Sequence, residues 1–308
     1  MPPDTLLPPG LTVFERGWLS ANNVLLVDDE QAALVDTGYC THADQTLALV
    51  AHALGPRPLD RVLNTHLHSD HCGGNAALKA RYPALDTAIP PGLADAVARW
   101  DDAVLGYHAT GQAMVRYGFD RLLQPGQTER LGGRPWQVHA APGHDPHAVL
   151  LFEPQSRTLI SGDALWANGF GVVFPELDGE HAFDDVAATL DLIEQLAPAV
   201  VIPGHGPVFA DVDTALATAR ERLDGFVRQP QRHLRHAAKV LLKYKLLEWG
   251  QVPLAELQRW AAQTPLLAGI HPQVEGAPPL LAVWVDQLLA ELARSGAARV
   301  DADGVTNL

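Results

Sequence analysis

Cysteine is nearly missing from this chain, with two residues, Cys40 and Cys72, in 308. That excludes a disulfide framework of the kind that staples small exported domains. Also missing is any uninterrupted apolar run of about 18 residues, the length a helix needs to cross a bilayer. The first ten residues, Met1 to Gly10, carry neither a basic n-region nor an apolar h-region. No membrane association and a cytoplasmic location are the resulting expectations. Positive charge is scarce as well. Residues 1–219 hold 11 Lys/Arg against 27 Asp/Glu, a net of −16, whereas residues 220–308 hold 11 against 9, a net of +2. So acidic a body repels a polyanion at long range, which makes nucleic acid a poor partner and favours a small-molecule substrate. The remaining composition, 47% hydrophobic and 19% charged, is ordinary for a globular protein long enough to bury a full core.

What is present is concentrated. Thr65-His66-Leu67-His68-Ser69-Asp70-His71, followed by Gly73-Gly74-Asn75, places four metal-binding side chains within six residues. With 14 His and 24 Asp in the chain, independent draws produce H-x-H-x-D-H in roughly two chains per thousand. If residues 62–68 are a strand running into a loop, His66 and His68 point to one side, while Asp70 and His71 leave the turn at another angle. One motif then serves two metals, and the glycines let a helix pack closely behind it. Three later segments each end an apolar run in a glycine turn bearing one ligand type: His144 in Pro142-Gly143-His144-Asp145, Asp163 in Ser161-Gly162-Asp163-Ala164, and His205 in Pro203-Gly204-His205-Gly206. A sheet delivers ligands to a common rim in this way. Seven ligands shared between two zinc-like ions, with Asp163 able to bridge, leave each ion an open position for water.

These blocks, preceded by Asp36-Thr37-Gly38, resemble the metallo-β-lactamase-fold hydrolases, nearest in motif style to the glyoxalase II and lactamase-like 2 branches. The resemblance covers about residues 11–210. Carried over position by position, it implies that His66, His68 and His144 hold one metal and that Asp70, His71 and His205 hold the other, with Asp163 between them. Asp36 is implied to orient a ligand from behind. The ions are expected to be zinc, with iron or manganese as alternatives, because His and Asp ligands do not fix the metal. Glyoxalase II-like chains usually place a second His four residues after the third metal His; here His147 follows His144 by three.

Around the motifs the pattern reads as strands at 11–14, 24–27, 32–36, 62–65, 130–140, 148–152, 158–161 and 199–202, with helices at 42–54 and 184–196. Two groups of strands with helices outside them predict an α/β (α+β) fold, a four-layer αββα sandwich. Residues 93–121, which include Trp100, Tyr107, His108, Met114 and Tyr117, read as a helical insertion. After Pro207 the chain turns helical, over 213–249 with a break at Pro230, then 253–262 and 279–295, and Val300 and Val305 flank a hairpin. The expected organisation is a catalytic domain over 1–212 and a C-terminal helical, winged-helix-like domain over 213–308. Its last helix is apolar enough to pack or to form a homodimer, and it carries only Asp286, Glu291 and Arg294, too little to read a nucleic-acid groove.

Two bound cations lower the pKa of a bridging water enough to make hydroxide near neutral pH, so no separate base is required. Asp70 orients that hydroxide, one metal polarises the carbonyl, and the other accepts the leaving group. Thiolates and alkoxides suit such a site, whereas an amine needs a proton donor, for which His147, His108 and Tyr107 are the candidates. The leading expectation is therefore a dinuclear metal-dependent hydrolase of a small thioester, ester or lactone. The alternative is an endoribonuclease or phosphodiesterase of the lactamase-like 2 type, suggested by the tail and by its basic run Arg220, Arg222, Arg228, Arg232, Arg235, Lys239, Lys243 and Lys245. Such a run either binds phosphates or is a solvated face paired with acidic groups. Cys72 reads as a small buried helix residue, and Trp166 and Phe170 as core or lid contacts.

Overall fold

A computed structural model describes residues 7–308. The N-terminal reading of Met1 to Gly10 therefore rests in part on residues outside those described. The chain divides into two compact units, one running to Leu105 and resuming over Met114–Leu223, the other comprising Gly106–Ala113 and Asp224–Leu308.

The first unit holds two sheets. One has six strands in sequence order: β1 (Leu11–Phe14), β2 (Asn23–Val27), β3 (Ala32–Val35), β4 (Arg61–Leu63), β5 (Asp86–Ile89) and β6 (Arg121–Leu122). Strands β1 to β3 are antiparallel and β3 to β6 parallel. The second is ordered β11-β10-β9-β8-β7, built from β7 (Thr128–Leu131), β8 (Arg134–Ala140), β9 (Val149–Glu153), β10 (Thr158–Gly162) and β11 (Val200–Pro203). Their inner faces share one core, in which Val24, Leu26, Val35 and Leu63 meet Trp136, Val138, Leu151, Ile160 and Ile202. The alternate residues of the first sheet, Leu25, Leu34 and Val62, pack outward on Val50 and Leu54 of helix α1 (Ala43–Leu54) and on Leu78. Alternation with period two thus explains why these short strands read as continuous apolar runs: both faces are covered. Each such Leu or Val contributes about 1.5–3 kcal/mol on burial. Outside the second sheet, α7 (Phe183–Leu196) buries Val186, Leu190 and Ile193. This is the αββα sandwich that the sequence predicts.

Two local expectations are corrected. Strand β4 stops at Leu63 and does not run through residue 68. Beyond it the Thr65 backbone N–H is taken by the Asp36 carboxylate at 2.8 Å, and Ser69–Cys72 forms a single helical turn, α2, with α3 (Asn75–Arg81) following. The stretch 93–121 is helical only over α4 (Ala94–Arg99) and α5 (Asp102–Leu105). Trp100 ends α4 in the left-handed region at φ +57° and Gly106 follows at +77°, a conformation that stops a helix. The chain is then irregular until β6.

In the second unit, α8 (Val212–Arg228), along which the first unit ends, leads to α9 (Pro230–Trp249). Then come β12 (Gln251–Val252), α10 (Leu254–Gln263), α11 (Pro265–Ile270) and α12 (Leu281–Arg294). The hairpin β13 (Ala298–Asp301) and β14 (Gly304–Asn307) pairs with β12. The apolar stripe of α12, Trp284, Val285, Leu288, Leu289 and Leu292, is buried within this unit, so its hydrophobicity is accounted for by packing. The basic run is largely consumed by partners: Arg235 and Lys239 by Glu291, Lys245 by Glu248, and Lys243 by the carbonyls of Ala297 and Leu308. In the first unit, Arg220 pairs with Asp191 and Glu194.

Candidate metal centre

Strands β8, β10 and β11 run in one direction, since β9 is antiparallel to both of its neighbours and β11 is parallel to β10. Their C-terminal ends present His144, Asp163 and His205, and the segment after β4 presents His66, His68, Asp70 and His71. The structure brings all seven together. His68 Nδ1 lies 3.0 Å from His66 Nε2 and 2.8 Å from His144 Nε2. Beside this triad, His205 Nε2 is 3.0 Å and His71 Nε2 3.9 Å from Asp70 Oδ2. Asp163 reaches both sets, with Oδ1 3.3 Å from His71 Nε2 and Oδ2 3.5 Å from His144 Nε2 and 3.8 Å from His205 Nε2. Glycine permits the closest approaches: a Cβ on Gly204 would sit 2.2 Å from Asp163 Oδ1, and one on Gly171 would sit 2.3 Å from His144 Nδ1.

The partners on the far ring nitrogens set the tautomers. His144 Nδ1–H donates to the Val172 carbonyl at 2.5 Å. Asp36 Oδ2 accepts from His71 Nδ1–H and from the Thr65 hydroxyl, each at 2.8 Å. With its proton so directed, the Thr65 oxygen accepts from His66 Nδ1–H at 3.1 Å. The Nε2 atoms of His66, His71 and His144 therefore face the centre, with a lone pair on His66 and His144. Among the described residues His71 Nε2 is buried without a hydrogen-bond partner, a cost a folded chain normally avoids and one that a cation removes. Residues Asp36, Thr65 and the 20–22 loop form the supporting layer. Asp36 itself is held at φ +57°, unusual outside glycine and common at functional sites. The Asn22 amide donates to the carbonyls of Pro203 and Gly206 and thereby braces the His205 loop.

Burial and the neighbouring cationic His71 drive the His68 imidazole down to about 4. Burial together with His68 takes His144 to about 4, and His66 is also well below its ordinary value for the same reasons. These three rings are neutral ligands at pH 7. Burial alone would lower His71 too, but Asp163, Asp36 and Asp70 outweigh it and hold the imidazolium well above the histidine range. Three His/Asp groups, overlapping at His66 and His71, each bring their ligand atoms within 4.8 Å of one another: His66–His68–His144, His66–His71–Asp163 and Asp70–His71–His205. The residues fit a pair of divalent cations.

The profile of the metallo-β-lactamase superfamily matches residues 16–205. The chain belongs to that superfamily. Among relatives, it is 33% identical over 189 residues to a hydroxyacylglutathione hydrolase of Synechococcus sp. (strain JA-3-3Ab), covering 61% of this chain and 65% of the relative. The chain spans less than two thirds of the length of the curated relatives it first matches, 65%, 65% and 52%. Among solved structures, a β-lactamase domain protein from Burkholderia ambifaria shares the fold at 22% identity and TM-score 0.59, over 97% of this chain and 92% of that one. A chain solved in a di-iron-bound form is 28% identical with TM-score 0.52, over 67% and 98%.

Sequence reasoning missed Trp18. Its ring stacks on His205, centroids 5.3 Å apart and planes 7° from parallel, and a lone tryptophan in an inter-strand loop has no periodicity to expose it. Trp166, read as a core or lid contact, donates its Nε1–H to Asp163 Oδ1 at 3.2 Å. Cys72 is buried with its thiol on the Leu67 and His68 carbonyls. His147 packs against Gly92, where a Cβ would sit 2.1 Å from its Nδ1, and belongs to none of the ligand groups among the described residues.

Proposed function

We propose that this protein is a metal-dependent hydrolase of small thioesters, esters or lactones, with residues 1–212 as the catalytic domain and 213–308 as a winged-helix-like accessory domain. The observation that carries the reading is Asp163, within 3.8 Å of ligand nitrogens in both groups. In it, His66, His68 and His144 hold one divalent cation, Asp70, His71 and His205 hold a second, and Asp163 serves both. Zinc is our first choice, with iron next because a chain 28% identical to this one is solved in a di-iron-bound form. Bound there, two cations would supply a water acidic enough to ionise near neutral pH and an electrophilic anchor for the scissile carbonyl.

The chain's own residues do the rest. Asp70 orients the attacking water. Asp36 fixes the direction in which His71 presents its lone pair. Thiolate and alkoxide leaving groups suit this reading because a metal can hold them directly, whereas an amine would need a proton donor. The hydroxyacylglutathione hydrolase relatives support a thioester substrate. The ribonuclease alternative gains nothing from the basic run, most of which is engaged in ion pairs and carbonyl contacts.

The test is elemental analysis beside a turnover panel of thioesters, esters, lactones and an RNA oligomer, with wild type and Asp70→Ala in parallel. Two metals with acyl turnover that the variant loses are expected; RNA cleavage alone would overturn the assignment.

A further inference from the structure

One side of the site carries an aromatic wall that the proposed chemistry does not use. Trp18, in the loop between β1 and β2, lies flat on His205 yet is 54% exposed. Trp166 stands edge-on to both, 5.3 Å from Trp18 and 5.5 Å from His205, while its indole N–H reaches Asp163. Half of a large apolar ring is thus left in water against the imidazole and the carboxylate on which the ligand groups meet. Exposed indole area gains by being covered, and a flat π-face is covered best by another flat apolar group. Among the described residues, the polar partners of Asp70, Asp163, Trp166 and His205 include no lysine or arginine side chain.

We propose that Trp18 and Trp166 form the substrate wall of this site and select esters or thioesters bearing a flat hydrophobic group, such as an aryl ring, beside the scissile bond. This deepens the hydrolase reading and rests on it. In the reaction concerned, the oxygen of water bonds to the carbonyl carbon and the carbon–sulfur or carbon–oxygen bond breaks. The products are a carboxylate and a thiol or alcohol, with a proton released and no redox partner.

The test uses the metal-loaded full-length protein and two substrates with one acyl group, S-phenyl and S-methyl thioacetate. Trp18→Ala lowers the aryl-to-methyl ratio of kcat/KM about tenfold, mainly through KM for the aryl substrate, and Trp18→Phe restores most of it. Calorimetric binding of phenylthioacetone, which cannot be hydrolysed, weakens about tenfold in Trp18→Ala at unchanged metal content. An unchanged ratio, phenylthioacetone binding unchanged in Trp18→Ala, or no binding in wild type overturns the proposal. Equal losses on both substrates together with lost metal also overturn it, leaving Trp18 a packing residue for His205. If wild type hydrolyses neither thioester, the thioester part of the hydrolase reading fails, while the phenylthioacetone titration still decides whether the wall binds.

Discussion

The two ligand groups are built on different physics. His66, His68 and His144 are neutral rings, stripped of protons by burial and by their neighbours, and oriented by neutral acceptors, a carbonyl and a hydroxyl. The second group sits among three carboxylates, Asp36, Asp70 and Asp163. Burial works against ionising Asp70 and Asp163, but the cationic His71 and contact with His205 overcome it and hold both below their ordinary carboxylate value. A proton on His71 occupies the position where a cation would otherwise balance that charge. The first group is a matter of geometry and the second a matter of charge, so substitutions and pH should separate them.

The change that erases the distinction should have the largest effect. Asp163→Ala removes a carboxylate within reach of both groups. Metal content should fall from about two per chain to one or fewer, and hydrolysis by on the order of a thousandfold, since the several kcal/mol of charge stabilisation a metal supplies is lost. Two bound metals with turnover within tenfold of wild type would show that the groups do not share Asp163. A smaller and one-sided effect is expected from Asp36→Asn. The amide keeps the shape but surrenders the charge on His71 Nδ1–H, so affinity at the second group should drop about 10- to 100-fold while the first stays filled. Chelator competition followed by elemental analysis reads both affinities.

That asymmetry was only partly legible in the sequence. The residues that the fold gathers were, because H-x-H-x-D-H and the three glycine turns are local chemistry, and the apolar runs at 24–27, 32–36 and 62–65 marked the strands. The setting of the ligands was not. Asp70 and His71 stand on a helical turn beyond a contact that no local pattern encodes: the Thr65 N–H, two residues past β4, goes to a carboxylate 29 residues away. The reading of 93–121 as helical failed at Trp100 and Gly106, where left-handed backbone rather than side-chain spacing decides. Trp18 was invisible for the opposite reason: its importance lies wholly in what folds against it.

Acidity provides a graded way to sharpen the contrast. In the metal-free chain His71 is protonated at neutral pH, because its folded pKa lies above the ordinary histidine value. A cation entering the second group must displace that proton. Below the folded pKa of His71, apparent affinity there should fall about tenfold per pH unit. The first group has no such proton to lose until pH approaches about 4, where His68 and His144 begin to charge. Calorimetric metal titrations at pH 7 in buffers of different ionisation enthalpy should therefore show roughly one proton released for the second equivalent and none for the first. Equal proton release at both steps would contradict the assignment of charge to the second group alone.

The smallest expected effect isolates distance. His68 has a carboxylate behind its Nε2, as His71 has one behind its Nδ1, but Asp145 Oδ2 is 3.7 Å away against 2.8 Å for Asp36. No hydrogen bond forms at 3.7 Å, and Asp145 instead spends Oδ1 on the His147 backbone N–H at 2.6 Å. Its contribution to His68 is a through-space field, at a side chain that is 26% exposed and so partly screened by solvent. Asp145→Asn should weaken the first group by no more than about threefold, well short of the 10- to 100-fold expected at Asp36, since only a hydrogen-bonded carboxylate both orients the ring and raises its basicity. A tenfold or greater loss in the same chelator competition would mean that the 3.7 Å gap closes when the metal is bound, and the two groups would then be supported alike.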